Sequence, residues 1–362
     1  MRVGTSAQTV LSVGAEAPTY MCRSSAFNVL KKHNPMGLYY RVWKPAWICG
    51  LIVCLGSLPA APSQEVPELA AKFVSTSGPP PVIRVSSNLV SVAVSVTDAA
   101  GHAVRDLGIG DFSVAEDGNP VPLAKMVEAS QSPLHLDLLF DLSGSVRSAF
   151  EFEQQAAIRF LQKVWKPGDR VSVISFSEQP EVRLRNAELL PEAVEALLHL
   201  RPTEAATAFF DTVVFSANLP HPSAGPETRR AAIVLSDGSD NRSDGDLADT
   251  LTAVQRSETM VYSINLSGAS VRLNEINRKG HENLLALAAA TGGTAFLPER
   301  SADLDDIFGR IAGELRAQYL LSYYSPGSNP DGRFRRIEIA TPAKPHLKIH
   351  ARQGYYATAR PF

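Results

Sequence analysis

Oxygen-bearing side chains recur at fixed spacing where an apolar run gives way to a helix. In Asp141-Leu-Ser-Gly-Ser145 they fall at positions i, i+2 and i+4, a spacing that in a tight turn aims one carboxylate and two hydroxyls at one point. Hard oxygen donors of this kind suit Mg²⁺, Ca²⁺ or Mn²⁺. Ser and Asp at a helix start also serve simply as caps, so the pentapeptide alone supports either reading equally. A second strand end of the same kind, Ala231-Ala-Ile-Val-Leu-Ser-Asp237-Gly-Ser-Asp240, adds another carboxylate, and Gly238 there permits a sharp turn. Between the two lies Thr207, in Ala205-Ala-Thr-Ala-Phe-Phe-Asp211, a loop that enters a further helix. The candidate ligand set is therefore Asp141, Ser143, Ser145, Thr207 and Asp237.

A sheet edge must bring these residues together, and the hydrophobic pattern supplies one. After Pro133 the sequence alternates apolar strands, predicted at 135–141, 170–176, 231–237, 261–266 and more weakly 294–297, with amphipathic helices. The helices are predicted at 148–164, 190–200, 209–218, 247–257, 283–290 and 304–315. Near-continuous apolar strands separated by helices imply an α/β fold, a doubly wound, mostly parallel sheet buried on both faces. Ligands of such sheets bind at the carboxyl ends of the strands. The flanks differ. Upstream, Val90, Val92, Val94 and Val96 alternate with smaller residues, and Asp117-Gly118 is a favoured hairpin turn. Downstream, Tyr319-Leu-Leu-Ser-Tyr-Tyr324 and segments 335–340 and 348–353 again read as strands. Residues 82–130 and 318–358 are predicted to form one small all-β sandwich, with an α/β domain at 133–316 inserted between them.

At this point the set resembles the metal-ion-dependent adhesion site of von Willebrand factor type A domains. Asp141, Ser143 and Ser145 match its D-x-S-x-S, Thr207 its loop threonine and Asp237 the aspartate of its D-G-x-D turn. The flanks resemble a group of bacterial secreted proteins in which an export signal and a V-x-V-x-V-x-D-x-x-G stretch, here Val92 to Gly101, precede this domain. Ala205-Ala206 depart from the family pattern, which places glycines before the threonine. The resemblance implies a bound divalent cation, Mg²⁺ or else Mn²⁺ or Ca²⁺, and a protein partner that presents an Asp or Glu carboxylate to it. It implies adhesion or interaction rather than an enzyme.

Composition narrows the alternatives. Residues 1–60 hold six of the 35 Lys and Arg but only Glu16 of the 37 acids, so the remainder is acidic and lacks the basic footprint of a nucleic-acid binder. All three cysteines, Cys22, Cys49 and Cys54, also lie there, which excludes a disulfide framework further on. Residues 1–61 read as a leader with an export signal: Arg41 and Lys44 precede the uncharged run from Ala46 to Leu58, too short for a comfortable membrane span. Met36 would give this signal a conventional start. A lipoprotein signal ending at Cys54 is one alternative, although Val53 is large where a small residue is expected, and an uncleaved signal retained as a membrane anchor is the other. Residues 62–81 read as a proline-rich linker. The expected location is thus periplasm, cell envelope or extracellular space. Phosphatases on a similar fold need D-x-D-x-T, and here Ser143 occupies the place of the second aspartate, where it cannot act as general acid. A structural scaffold with no bound ion is the third reading. His281-Glu282 lacks the second histidine of a zinc protease, with Leu285 at that position, and reads as an exposed helix start. Asp211, Asp240 and Asp244 are candidates for a second cation site or for solvated loop acids.

Overall fold

The computed structural model describes residues 89–144, 150–222, 227–267, 274–327 and 330–357. The leader, the linker at 62–81, residues 82–88 of the first β segment and Ser145 lie outside the described residues.

The central sheet has the order β10-β9-β8-β5-β6-β7. Its middle strands are β5 (Leu134–Asp141), β8 (Arg229–Ser236), β6 (Arg170–Phe176) and β9 (Met260–Asn265), with short β10 (Ala295–Phe296) at one edge. All eight residues of β5 are buried, so its apolar side chains fall on both faces, with His135, Asp137 and Asp141 buried among them. Leu134, Leu136, Leu138 and Phe140 face a core formed with α1 (Phe150–Val164), α2 (Leu190–Leu198) and α6 (Leu304–Ala317). Leu139 faces the opposite core, under α3 (Phe209–Ala217), α4 (Leu247–Arg256) and α5 (Glu275–Thr291). β5 pairs in parallel with β6 on one side and β8 on the other. The chain after β5 turns to α1 on the first face, whereas the chain after β8 turns to α4 on the second. This divergence opens a crevice between the carboxyl ends of β5 and β8, the switch point at which doubly wound sheets bind ligands.

Two elements differ from the sequence expectation. β7 (Pro180–Ala187) is an additional edge strand, antiparallel to β6. Its alternation is masked by charged and polar residues on a mostly exposed strand, as edge strands require. Helix α5 begins at Glu275, well before the predicted 283, because its first turns are polar and largely exposed. His281 therefore sits inside α5 and does not start it.

The flanks build two antiparallel sheets, and each draws on both ends of the chain. One has the order β13-β1-β11-β4 and the other β14-β12-β2-β3. The upstream strands are β1 (Leu89–Thr97), β2 (Ser113–Glu116), β3 (Asn119–Val121) and β4 (Leu123–Glu128). The downstream ones are β11 (Tyr319–Tyr324), β12 (Phe334–Ala340), β13 (Lys348–Ala351) and β14 (Gly354–Tyr356). The valine face of β1 meets Val114, Ile337, Tyr319, Leu321 and Tyr323 in a shared core. Asp117 (φ 49°) and Gly118 (φ 79°) form the β2–β3 turn, with the two positive φ values that a type I′ hairpin needs.

Buried Arg229, at the start of β8, joins the two crossings between sandwich and α/β unit. It donates to the carbonyls of Ala129 and Ser132 on the way in, at 3.2 and 3.0 Å. It donates to the Leu315 carbonyl and Gln318 Oε1 on the way out, at 2.5 and 2.8 Å. Among the described residues, no helix is long and apolar enough to cross a membrane.

Candidate metal centre

The structure places Asp141 at the last position of β5 and Asp237 immediately after β8, at neighbouring strand ends. Asp141, Ser143, Thr207 and Asp237 are all buried. Asp141 Oδ1 accepts the Ser143 N–H at 2.9 Å, and its Oδ2 accepts the Ser236 hydroxyl at 2.7 Å. Ser236 Oγ in turn accepts the Gly238 N–H at 3.0 Å, and Asp237 Oδ1 accepts the Ser239 N–H at 2.9 Å. One serine thus ties both strand ends together. The loop of Thr207 is held between them: the Thr203 N–H and hydroxyl donate to the Leu142 carbonyl at 2.6 and 3.0 Å, and Thr207 N–H donates to Asn241 Oδ1 at 2.8 Å.

Close backbone packing fixes the Asp237 turn. Gly238 has φ +73°, and a Cβ there would lie 2.2 Å from the Gly280 carbonyl oxygen and 2.7 Å from Leu284 Cγ. A Cβ on Gly280 would lie 2.4 Å from the Asp237 carbonyl oxygen. Asn283 Nδ2 donates to the Gly238 carbonyl at 3.1 Å. Helix α5 is seated against the turn, and only glycine at both positions permits so close an approach.

Burial pushes the Asp141 carboxyl up to about 6, against the stabilising hydrogen bonds from Ser143 and Ser236, and the negative charge of Asp237 adds to the rise. Glu153, buried on the inner face of α1, is pushed up to about 8 by burial first and by the charge of Asp141 second. No Lys, Arg or His side chain is among the main influences on either group. Acids crowded at a buried edge in this way are stabilised by a bound cation. The donors, two carboxylates with serine and threonine hydroxyls, are hard oxygens that fit Mg²⁺, Mn²⁺ or Ca²⁺.

Asp211, Asp240 and Asp244 do not gather into a second centre. Asp211 accepts the backbone N–H groups of Asp244 and Gly245 at 3.0 and 3.1 Å, and Asp240 accepts those of Phe209 and Ser243 at 2.9 and 3.3 Å. Among the described residues no group of three or more His, Cys, Asp or Glu is arranged to hold a metal ion. His281 Nδ1 lies 3.3 Å from Asn265 Nδ2.

Sequence reasoning passed over Ser236, Glu153 and Asn241. A lone hydroxyl ending the apolar run Ala231–Leu235 was the available signal for Ser236. Glu153 was marked by its place on the apolar face of α1, one turn from Phe150 and Ala157.

The family model of the von Willebrand factor type A domain matches residues 136–310. Among curated proteins none matches the chain. Among solved structures the chain is similar to proximal thread matrix protein 1 from the mussel byssus, with 13% identity and TM-score 0.44 over 56% of this chain and 51% of that one. It thus spans about half that protein's length. It is also similar to a von Willebrand factor type A protein from Catenulispora acidiphila, with 15% identity and TM-score 0.42 over 71% of each chain. A third similar structure is the conserved hypothetical protein BatB from Bacteroides thetaiotaomicron, with 15% identity and TM-score 0.38 over 50% of this chain and 97% of that one.

Proposed function

Residues 136–310 form a von Willebrand factor type A domain, and on that premise we propose that the protein is an exported, divalent-cation-dependent interaction module. Asp141, Ser143, Ser145, Thr207 and Asp237 hold Mg²⁺, or Mn²⁺ or Ca²⁺ in its place. A partner protein supplies an Asp or Glu carboxylate to the same centre. The observation that carries this reading is the pair of buried carboxylates at the switch point, both engaged by hydroxyl or amide donors, with no Lys, Arg or His among the main influences on Asp141.

Each side chain has a distinct task in this reading. Ser143 and Thr207 are neutral donors, so they fix the geometry without cancelling the ion's charge. Ser236 orients Asp141 and at the same time holds the Gly238 amide, which keeps the two acids at a set separation. When bound, the ion supplies a concentrated positive charge with a coordination position left for an external carboxylate. The site sits at the carboxyl edge of the sheet, whereas Arg229 and the chain crossings lie at the opposite ends of the strands. The cation edge is therefore at the far end of the strands from the chain crossings. A catalytic role is less well served, because Ser143 stands where a phosphatase of comparable fold needs a general acid.

The test is capture of envelope proteins by the immobilised chain in Mg²⁺ and in excess chelator, for wild type and Asp141→Ala. Capture that requires Mg²⁺ and is lost in the variant is expected. Equal capture in chelator contradicts the proposal.

A further inference from the structure

The loop that carries Asp237 reaches across the crevice and grips the loop that carries Thr207. Thr207 is bonded to Asn241 in both directions: its N–H donates to Asn241 Oδ1 at 2.8 Å, and its carbonyl accepts the Asn241 N–H at 3.1 Å. Two residues on, α3 begins. Its N-cap is Ala208, which has no side-chain oxygen with which to cap the helix. The exposed amides of a first helical turn require acceptors, and here the other loop provides them. Asp240 Oδ1 accepts the Phe209 N–H at 2.9 Å, and Ser243 Oγ accepts the Asp211 N–H at 3.0 Å. The Asp211 carboxylate returns the contact by accepting the amides of Asp244 and Gly245. Residues 207–211 and 240–245 are therefore closed together by side chains that take no part in the ligand set. On the other side, Ala208 N–H donates to the Ser177 carbonyl at 2.7 Å.

We infer that Asn241, supported by Asp240, is a positioning residue that presets Thr207 relative to Asp237 before any ion arrives. The inference rests on the reading of Thr207 and Asp237 as cation ligands. Asp237 and Asn241 are four residues apart on one loop, and that loop is itself pinned to α5 through Gly238 and Asn283. The distance between the Thr207 and Asp237 ligands is then set by the Asn241 clamp and not by the flexibility of the Thr203–Thr207 loop. A ligand held in place in advance binds without the cost of ordering it afterwards. Asn241 suits the task because its amide oxygen accepts the Thr207 N–H without adding charge beside the acids. Its own backbone amide completes the second bond.

The experiment measures Mn²⁺ affinity of the full chain by titration calorimetry in wild type, Asn241→Ala, Asn241→Asp, Asp246→Ala, Thr207→Ala and the Asn241→Ala/Thr207→Ala double variant. Loss of one hydrogen bond corresponds to a factor of about 2 to 12 in an equilibrium constant, so Asn241→Ala is expected to weaken Mn²⁺ binding about fivefold. Asn241→Asp retains an acceptor oxygen and restores binding at least to the wild-type level. Asp246 caps α4 from the same segment through the Ala248 and Asp249 amides, so Asp246→Ala lowers thermal stability while leaving Mn²⁺ affinity unchanged. In the Thr207→Ala background, Asn241→Ala is expected to have no further effect, because its action runs through Thr207. Wild-type affinity in Asn241→Ala, or an equal loss with and without Thr207, overturns the inference. Failure of wild type itself to bind Mn²⁺ overturns the underlying reading of the site instead.

Discussion

Replacing Asp141 with asparagine should stabilise the cation-free protein, against the usual outcome for a buried polar residue. The folded chain holds the Asp141 proton more tightly than the unfolded chain, with a pKa raised from 3.8 to about 6. Stability therefore falls as pH rises from about 3.8 to about 6 and is level above that range. At neutral pH the deficit is roughly 3 kcal/mol, from about 1.4 kcal/mol per pKa unit. Asparagine removes it and keeps the contacts. Its Oδ1 accepts the Ser143 amide, and its Nδ2 donates to Ser236 Oγ, whose own hydroxyl proton no longer has to point at residue 141. The charge that raises Glu153 also disappears, which adds to the gain. After allowance for one reorganised hydrogen bond of about 1 kcal/mol, Asp141→Asn is expected to be more stable than wild type by about 2 kcal/mol near pH 7. Near pH 4 the two should be almost equal. Urea unfolding in excess chelator at both pH values reads this directly. A variant that is less stable than wild type at neutral pH, or a difference that does not change with pH, refutes the electrostatic account of the site.

Two further variants test how the site and the chain crossings are held. Gly238→Ala places a Cβ 2.2 Å from the Gly280 carbonyl oxygen at φ +73°. It should cost at least about 3 kcal/mol and weaken cation binding with it, and unchanged unfolding and affinity would remove α5 from the description of the site. Arg229→Met keeps the side-chain stem but strands four acceptors on the two crossings. A loss of about 3 kcal/mol or more in urea unfolding is expected, and a loss below about 1 kcal/mol would show that the crossings hold without it.

The alternation of strand and helix was readable because the middle strands of a sheet covered on both faces carry apolar residues on both, as β5 does with Leu134, Leu136, Leu138 and Phe140 on one face and Leu139 on the other. Where burial is one-sided or slight, the pattern weakens, and β7 and the first turns of α5 were lost in polar sequence for that reason. Asp141, Ser143 and Asp237 stood out by residue type, spacing and their places at strand ends, and Thr207 by the family resemblance; in the structure Asp141 ends β5, Asp237 follows β8, and Thr207 is bonded to Asn241 of the Asp237 loop. Asn241 and Gly280 had no comparable signal, and Ser236 had only its place as a lone hydroxyl ending an apolar run. Their roles depend on partners 34 to 95 positions away in Ser236–Asp141 and Asn241–Thr207 contacts, and on the seating of α5 against the Asp237 turn. Local sequence carries no record of such pairings. Asp211, Asp240 and Asp244 show the converse: as neighbouring loop acids they were candidates for a second cation site, and the carboxylates of Asp211 and Asp240 accept backbone amides.

The claim that the switch point holds a divalent cation is tested most directly by titrating the chelator-treated full chain with Mn²⁺. Bound and free ion are followed by electron paramagnetic resonance, with Asp141→Ala and Asp237→Ala measured alongside. One tightly held ion per chain is expected in wild type, and none in either variant while the circular dichroism of all three agrees. No bound ion at concentrations on the order of millimolar, or equal binding by the two variants, would contradict the account.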